Sequence, residues 1–149
     1  MNSFRREIAG PKLFEELAPL LQKHYEEIAH FKDIVLDPDW DQYDKLEQVG
    51  ALRVYTARDH EGVLIGYSVY FIRHNLHYKN SRQAMQDILF IDPERRGFGA
   101  KFILWCDKQL KEEGVQVTYH HVKSKHNFGP MLERIGYELV DLIYARRLD

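Results

Sequence analysis

Apolar and polar positions change their period several times along the chain, and each change marks an element. Phe4 to Ile8 reads as a short first strand. Behind Gly10-Pro11, the apolar residues Phe14, Leu17, Leu21, Tyr25 and Ile28 recur at spacings of three and four, the signature of one helical face. Pro19 inside that run predicts a kink or break, because proline lacks the N–H donor of a helix interior. The stretch Asp37-Pro38-Asp39-Trp40-Asp41 reads as a turn opening a second short helix that stops near Gly50.

The period then drops to two. Residues 52–58 alternate, Asp59-His60-Glu61-Gly62 is turn chemistry, and Val63, Ile65, Tyr67, Val69 and Phe71 alternate again, so a hairpin is expected. A polar loop over His74–Ser81 leads to a strand over Ala84–Ile91. Helical spacing returns over Phe98–Glu113, with Phe102, Ile103, Cys106 and Leu110 on one side and Gly114 as the stop. Val115–Val122 reads as a strand, Phe128–Ile135 as a short helix ended by Gly136, and Tyr137–Leu148 as a final strand or hairpin. The order β-α-α-β-β-β-α-β-α-β predicts an α/β domain with a mixed sheet. Residues 84–122 form its β-α-β unit, expected as a right-handed parallel crossover.

Composition narrows the classes. A chain of 149 residues with 44% hydrophobic and 30% charged residues is an ordinary globular mix, most simply one domain over 1–149. A net charge of −2 argues against a nucleic-acid footprint. The single cysteine, Cys106, excludes an intrachain disulfide and fits a reducing, cytoplasmic setting; its place on an apolar helix face predicts a buried, inert thiol. MNSFRREIAG has no signal-peptide core, and no run approaches the ~20 apolar residues of a membrane span.

Candidate chemistry concentrates at the joint DPERRGFGAKF, residues 92–102, between a strand and a helix. The first turn of a helix exposes N–H groups and carries partial positive charge. Gly97 and Gly99 let that backbone approach an anion, and Arg95, Arg96 and Lys101 add charge. A phosphate cradle and a plain solvated turn both fit. There is no G-x-x-x-x-G-K-[ST] run and no G-x-G-x-x-G with a suitably spaced acidic residue, so a P-loop and a dinucleotide fold are disfavoured. The histidines include the close pair His74 and His77, but no cysteine or carboxylate pattern accompanies them, and no metal is expected. Asp37, Asp39, Asp41 and Asp44 around Trp40 read either as a solvated helix start or as acidic groups suited to a cationic amine.

The strand ILFIDPE, the joint RRGFGAKFI and the late segment FGPMLERIGYELV resemble the GNAT superfamily of acetyl-CoA-dependent N-acetyltransferases. The resemblance covers nearly the whole chain and is strongest over 84–144. The family motif at the joint is [QR]-x-x-G-x-[GA]. With Gly97 and Gly99 on its last constrained positions, Glu94 takes the first; the other register puts Arg96 first and Lys101 last.

The resemblance implies a GNAT-like, mixed and mostly antiparallel sheet flanked by helices. It also implies that the pyrophosphate of acetyl-CoA sits on the backbone of Arg95, Arg96, Gly97, Phe98, Gly99, Ala100 and Lys101. A backbone N–H among Leu89, Phe90 and Ile91 polarises the thioester carbonyl, and Asn127 contacts the cofactor. An amine, on a small molecule or a protein, attacks directly with no covalent enzyme intermediate. Homodimers paired through the last strands are frequent in the family.

Attack needs a neutral amine. Asp87 is the expected base, or else a hydrogen-bonded structural carboxylate. Where the family often carries a tyrosine as general acid, this chain has Leu132, so Tyr119, His120 and His121 are the substitutes; Tyr119 and His121 share a strand face, and His120 and His121 cannot both enter one site. Asn127 also reads as a plain helix cap. Two rival readings remain: a degenerate GNAT fold that binds or regulates without turnover, and a nucleic-acid module using Arg95, Arg96, Lys101, Lys123 and Lys125, against which the charge balance argues.

Overall fold

The computed structural model describes residues 1–149. Its elements are β1 (Ser3–Glu7), α1 (Pro11–Ile28), α2 (Trp40–Gln48), β2 (Leu52–Arg58), β3 (Leu64–His74), β4 (Arg82–Ile91), a single 3-10 turn (Pro93–Arg95), α3 (Gly99–Glu112), β5 (Val117–Tyr119) and α4 (Gly129–Arg134). One five-stranded sheet carries them in the order β1-β2-β3-β4-β5. The first three pairings are antiparallel and β4–β5 is parallel, with α3 as its crossover, so the sheet is mixed and mostly antiparallel as expected.

Helices cover both faces. On one, Leu13, Phe14 and Leu17 of α1 pack with Leu52, Val54, Tyr67, Val69 and Phe90, and α2 adds Trp40 and Tyr43 at the margin. On the other, Phe102, Cys106 and Leu110 of α3 pack with Tyr55, Tyr70, Ile72 and Ala84. Cys106 is fully buried among them, as its helical spacing required.

The alternation predicted for Val63–Phe71 fails at one point. Between Ala57 and Arg58 the β2–β3 register slips. Ile65 therefore joins the α3 face, while Tyr67, Val69 and Phe71 face α1. A second slip in β3–β4 leaves Asp87 as an extra residue between Gln86, opposite Tyr70, and Ile88, opposite Val69. Before this bulge Ala84 faces α3; after it Ile88 and Phe90 face α1. An inserted residue reverses the parity of a strand whose side chains alternate strictly.

Three expectations need correction. Pro19 lies inside α1 without breaking it; the apolar face of α1 is anchored in the core on both sides of it, and tertiary packing overrides the local penalty. The strand expected over Val115–Val122 shortens to Val117–Tyr119. Tyr137–Leu148 forms neither strand nor hairpin. A strand needs a partner, and the only backbone hydrogen bond there runs from Tyr137 N–H to Leu132 C=O. Leu139, Val140, Leu142, Ile143 and Tyr144 stay exposed. Arg147 ties the end of this segment to Asp33 at 2.9 Å. No helix is long and apolar enough to cross a membrane.

His24 on α1 is buried against Phe90, ring centroids 5.0 Å apart. Burial holds its imidazole at about 4, against an ordinary 6.5; Glu27 pulls the other way, and Arg96, His126 and Lys123 add to the depression. The unfolded chain therefore takes up a proton near pH 6.5 that the folded chain refuses until about 4. Stability should be intact above pH 6.5 and fall between these values, by about 3 kcal/mol for this group. Thermal melts across that window should show the slope, and His24→Phe should reduce it without abolishing it, because His120 is buried and held at about 4 as well.

Candidate active site

β4 continues to Ile91, but its last partner on β5 is Met85, opposite Tyr119. Beyond that pair the two strands part. The Gln86 side chain, itself buried, accepts the His121 backbone N–H at 2.9 Å and closes the apex of the wedge. The edge of β4 from here to Ile91 has no neighbour on this side.

Strand alternation decides which amides face the opening. Asp92 N–H donates to Ile65 C=O on β3, so the amide of Phe90 points the same way. Those of Leu89 and Ile91 point into the wedge, and Ile91 C=O on that side accepts Arg96 Nε at 3.2 Å. Of the three amides expected at a thioester carbonyl, only Leu89 and Ile91 are thus aimed at the gap.

β4 runs into the glycine joint. Asp92 caps the 3-10 turn by accepting Glu94 N–H at 3.1 Å. Gly97 then takes φ +126°, a conformation that side chains with a Cβ rarely adopt. At Gly99 a Cβ would meet Ile91 Cδ1 at 3.1 Å, so glycine lets the start of α3 close onto the end of β4. From Arg96 through Gly97, Phe98, Gly99 and Ala100 to Lys101, every backbone N–H lacks a protein acceptor. The first helical bond beyond them is Phe102 N–H to Phe98 C=O. A run of unsatisfied donors at a helix start suits a pyrophosphate.

The cations behave differently from the sequence expectation. Arg95 is held by Asp59 at 3.0 Å, and Arg96 by Glu27. Glu27 also lies 3.5 Å from His126. Both arginines are therefore already paired, and Lys101, exposed at the helix start, makes no ion pair. At the joint it is the backbone and Lys101 that are free for an anion. Asn127 Oδ1 accepts Gly129 N–H at 2.9 Å; the N-cap of α4 is the next residue, Phe128, so Asn127 braces the turn into the helix without being its cap.

Asp87 sits at the bulge beside the apex. Its Oδ2 accepts the Tyr43 hydroxyl at 2.6 Å. Burial pushes the Asp87 carboxyl up, while Tyr43 and the nearby His121 hold it down. His121 is near enough to Asp87 to act on it by charge, although no hydrogen bond joins them. Tyr119, half-buried, ends β5 on the same face without a side-chain hydrogen bond.

His120 points to the α3 face, in edge contact with Tyr70, Phe128 and Tyr137. Its Nδ1 is buried without a partner, and burial holds the ring at about 4. Leu132, at the family's tyrosine position, is a buried core residue. Asp39 caps α2 through Gln42 N–H at 2.9 Å, which assigns part of the acidic cluster to a helix start. No group of three or more His, Cys, Asp or Glu residues is placed to hold a metal ion.

Sequence reasoning missed Tyr43, Glu27, Asp59 and Gln86. Tyr43 shares a helical face with Trp40, a visible signal of packing. Its partner lies 44 residues away, and no local pattern joins them.

No family model matches the chain, and no curated protein matches it. Solved structures do. A ribosomal-protein-alanine N-acetyltransferase from Brucella melitensis biovar Abortus 2308 superposes with TM-score 0.74 at 18% identity, covering 100% of both chains. An aminoglycoside acetyltransferase from an uncultured soil metagenomic sample gives TM-score 0.70 at 18% identity, over 98% of this chain and 97% of that one. A predicted acetyltransferase from Clostridium acetobutylicum, solved with acetyl-CoA, gives 0.67 at 12% identity over 99% and 97%. Such identities speak to architecture alone, and the architecture agrees end to end: the chain has the fold of the GNAT N-acetyltransferases.

Proposed function

We propose that residues 1–149 form one N-acetyltransferase domain that moves an acetyl group from acetyl-CoA to a primary amine, on a small molecule or a protein, in a reducing, cytoplasmic setting. The observation that carries this reading is the wedge between β4 and β5, which opens onto the unsatisfied backbone donors of Arg96–Lys101. Those donors would hold the pyrophosphate, with Lys101 as the free cation beside them. Leu89 or Ile91 N–H would polarise the thioester carbonyl and stabilise the oxyanion that forms on attack. Acetyl-CoA supplies the activated acyl group. Asp87 would take the proton of the incoming ammonium, and direct attack by the amine on the carbonyl carbon would then expel the CoA thiolate. His121 and Tyr119 border the same face and are the proton donors to test for that thiolate.

Calorimetric titration with acetyl-CoA, beside dephospho-CoA and ATP, tests the first half. Saturable one-to-one binding well above the controls is expected, and absence of heat at millimolar ligand would overturn it. An amine panel then reads turnover. Binding without turnover on any amine would favour a fold that binds or regulates.

The exposed apolar segment at Leu139–Tyr144 supports a homodimer joined through this segment. Sedimentation of the whole chain and of a chain ending at residue 137 should give a dimer and a monomer. A monomeric whole chain would remove the dimer.

A further inference from the structure

Tyr43 projects from the middle of α2 and donates its hydroxyl to Asp87 Oδ2 at 2.6 Å. α2 buries no residue completely. It is fixed by Trp40 stacked on Phe14, centroids 4.6 Å apart, by Glu47 accepting Ala9 N–H at 3.0 Å, and by Tyr43 itself. The Tyr43 bond is the one hydrogen bond between a side chain of α2 and β4. It meets β4 at the bulge, one residue past Gln86 and the apex of the wedge.

The two carboxylate oxygens of Asp87 are unequal. Oδ2 is taken by Tyr43, while Oδ1 accepts no hydrogen bond and keeps access to solvent. The groups that face Asp87 are Tyr43 from α2, Tyr67 from β3 and His121 from beyond β5. Tyr67 is buried and its hydroxyl has no partner, so Tyr43 is the sole neutral donor on this carboxylate.

We propose that Tyr43 is the positioning residue of the amine site: it clamps one oxygen of Asp87 so that the other faces the acceptor, and it sets the pH above which Asp87 can accept the acceptor's proton. The inference rests on the acetyl-transfer reading above. In the step it serves, Asp87 Oδ1 takes a proton from R–NH3+, and the freed R–NH2 forms a bond to the thioester carbon. The C–S bond then breaks, and the proton shed by the new amide nitrogen neutralises the departing thiolate. The clamp works through charge. A hydroxyl donating to a carboxylate stabilises its ionised form. Removing the hydroxyl leaves burial unopposed from that side, and the carboxyl rises further.

The test is the pH profile of kcat/KM for a reactive amine, with Tyr43→Phe against the unmodified protein. The acidic limb should move to higher pH by about one unit, a tenfold change in proton affinity, with KM for acetyl-CoA unchanged. A purely structural tyrosine would lower the melting temperature and leave the limb in place. Should Tyr43→Phe fail to fold, a ring-fluorinated tyrosine at the same position keeps the shape and is the stronger donor, so the limb should move to lower pH. The carbon-13 carboxyl shift of Asp87, titrated in the same proteins, should follow the limb. Transfer by the unmodified protein with an unmoved limb in the variant overturns this inference alone. Absence of transfer with every amine overturns the acetyl-transfer reading, and this inference with it.

Discussion

Gly97→Val should remove measurable acetyl-CoA binding while the protein still folds. Gly97 holds φ +126°, and nothing lies within 4 Å of where its Cβ would be. The substitution therefore meets a backbone obstacle and no packing obstacle. Holding a β-branched residue in so sparsely populated a region costs about 1–3 kcal/mol, so the loop escapes to an extended conformation instead. Escape re-aims the run of free N–H groups from Arg96 to Lys101, which depends on this one turn for its curvature. Each hydrogen bond from such a donor to a charged acceptor is worth about 1.5–3 kcal/mol, so losing two weakens binding by about a hundredfold or more. The strain falls on an exposed loop and stays within the 5–15 kcal/mol typical of a domain, at about that scale. Calorimetry and a thermal melt on the same sample separate the two effects. Unchanged affinity in the folded variant would show that the joint is only a turn. Gly99→Val meets a packing obstacle instead, because its Cβ would press on Ile91 Cδ1 at 3.1 Å and the Ile91 side chain would have to shift.

Asp87→Asn should lower turnover by about 10²-fold or more, the usual span for a lost general base, and leave acetyl-CoA affinity intact. The amide is nearly isosteric, and its carbonyl oxygen can still accept from the Tyr43 hydroxyl, so the bulge and the seat of α2 persist. What disappears is an oxygen that can take a proton. The two variants have opposite profiles: Gly97→Val loses binding, whereas Asp87→Asn binds and does not turn over. Steady-state rates from pH 5 to 9 check the second, as a range of about four units brackets any carboxylate raised by burial. Equal rates across that range would remove Asp87 from the chemistry and leave it as the structural anchor of α2.

The joint was legible because its signal is local. Gly97 and Gly99 act through their own backbone and the first turn of α3, and these are contiguous in sequence. The arginines misled for the opposite reason. Arg95 and Arg96 look free beside the glycines, yet Asp59 and Glu27 hold them from 36 and 69 residues away. A charge's availability depends on partners that only folding brings near. The final segment misled through its apolar content. Leu139, Val140, Leu142 and Ile143 have strand-forming side chains, but pairing is a property of two strands, and this segment makes no backbone hydrogen bond to any strand of the sheet.

Periodicity and turn chemistry alone determined the order of elements through α4, the buried faces of α1 and α3, the parallel unit around α3 and the glycine turn whose free donors run from residue 96 to 101. Each follows from interactions within a few residues, or from the rule that an apolar face must be covered. The tertiary structure alone decided where the sheet opens, which amides of β4 face the opening, that Asp87 stands on a bulge, and that Tyr43 clamps it. A bulge is a mismatch between two strands, and a clamp is a meeting of helix and strand 44 residues apart. The physical reason is that register and contact are relations between distant segments, fixed only when the core closes.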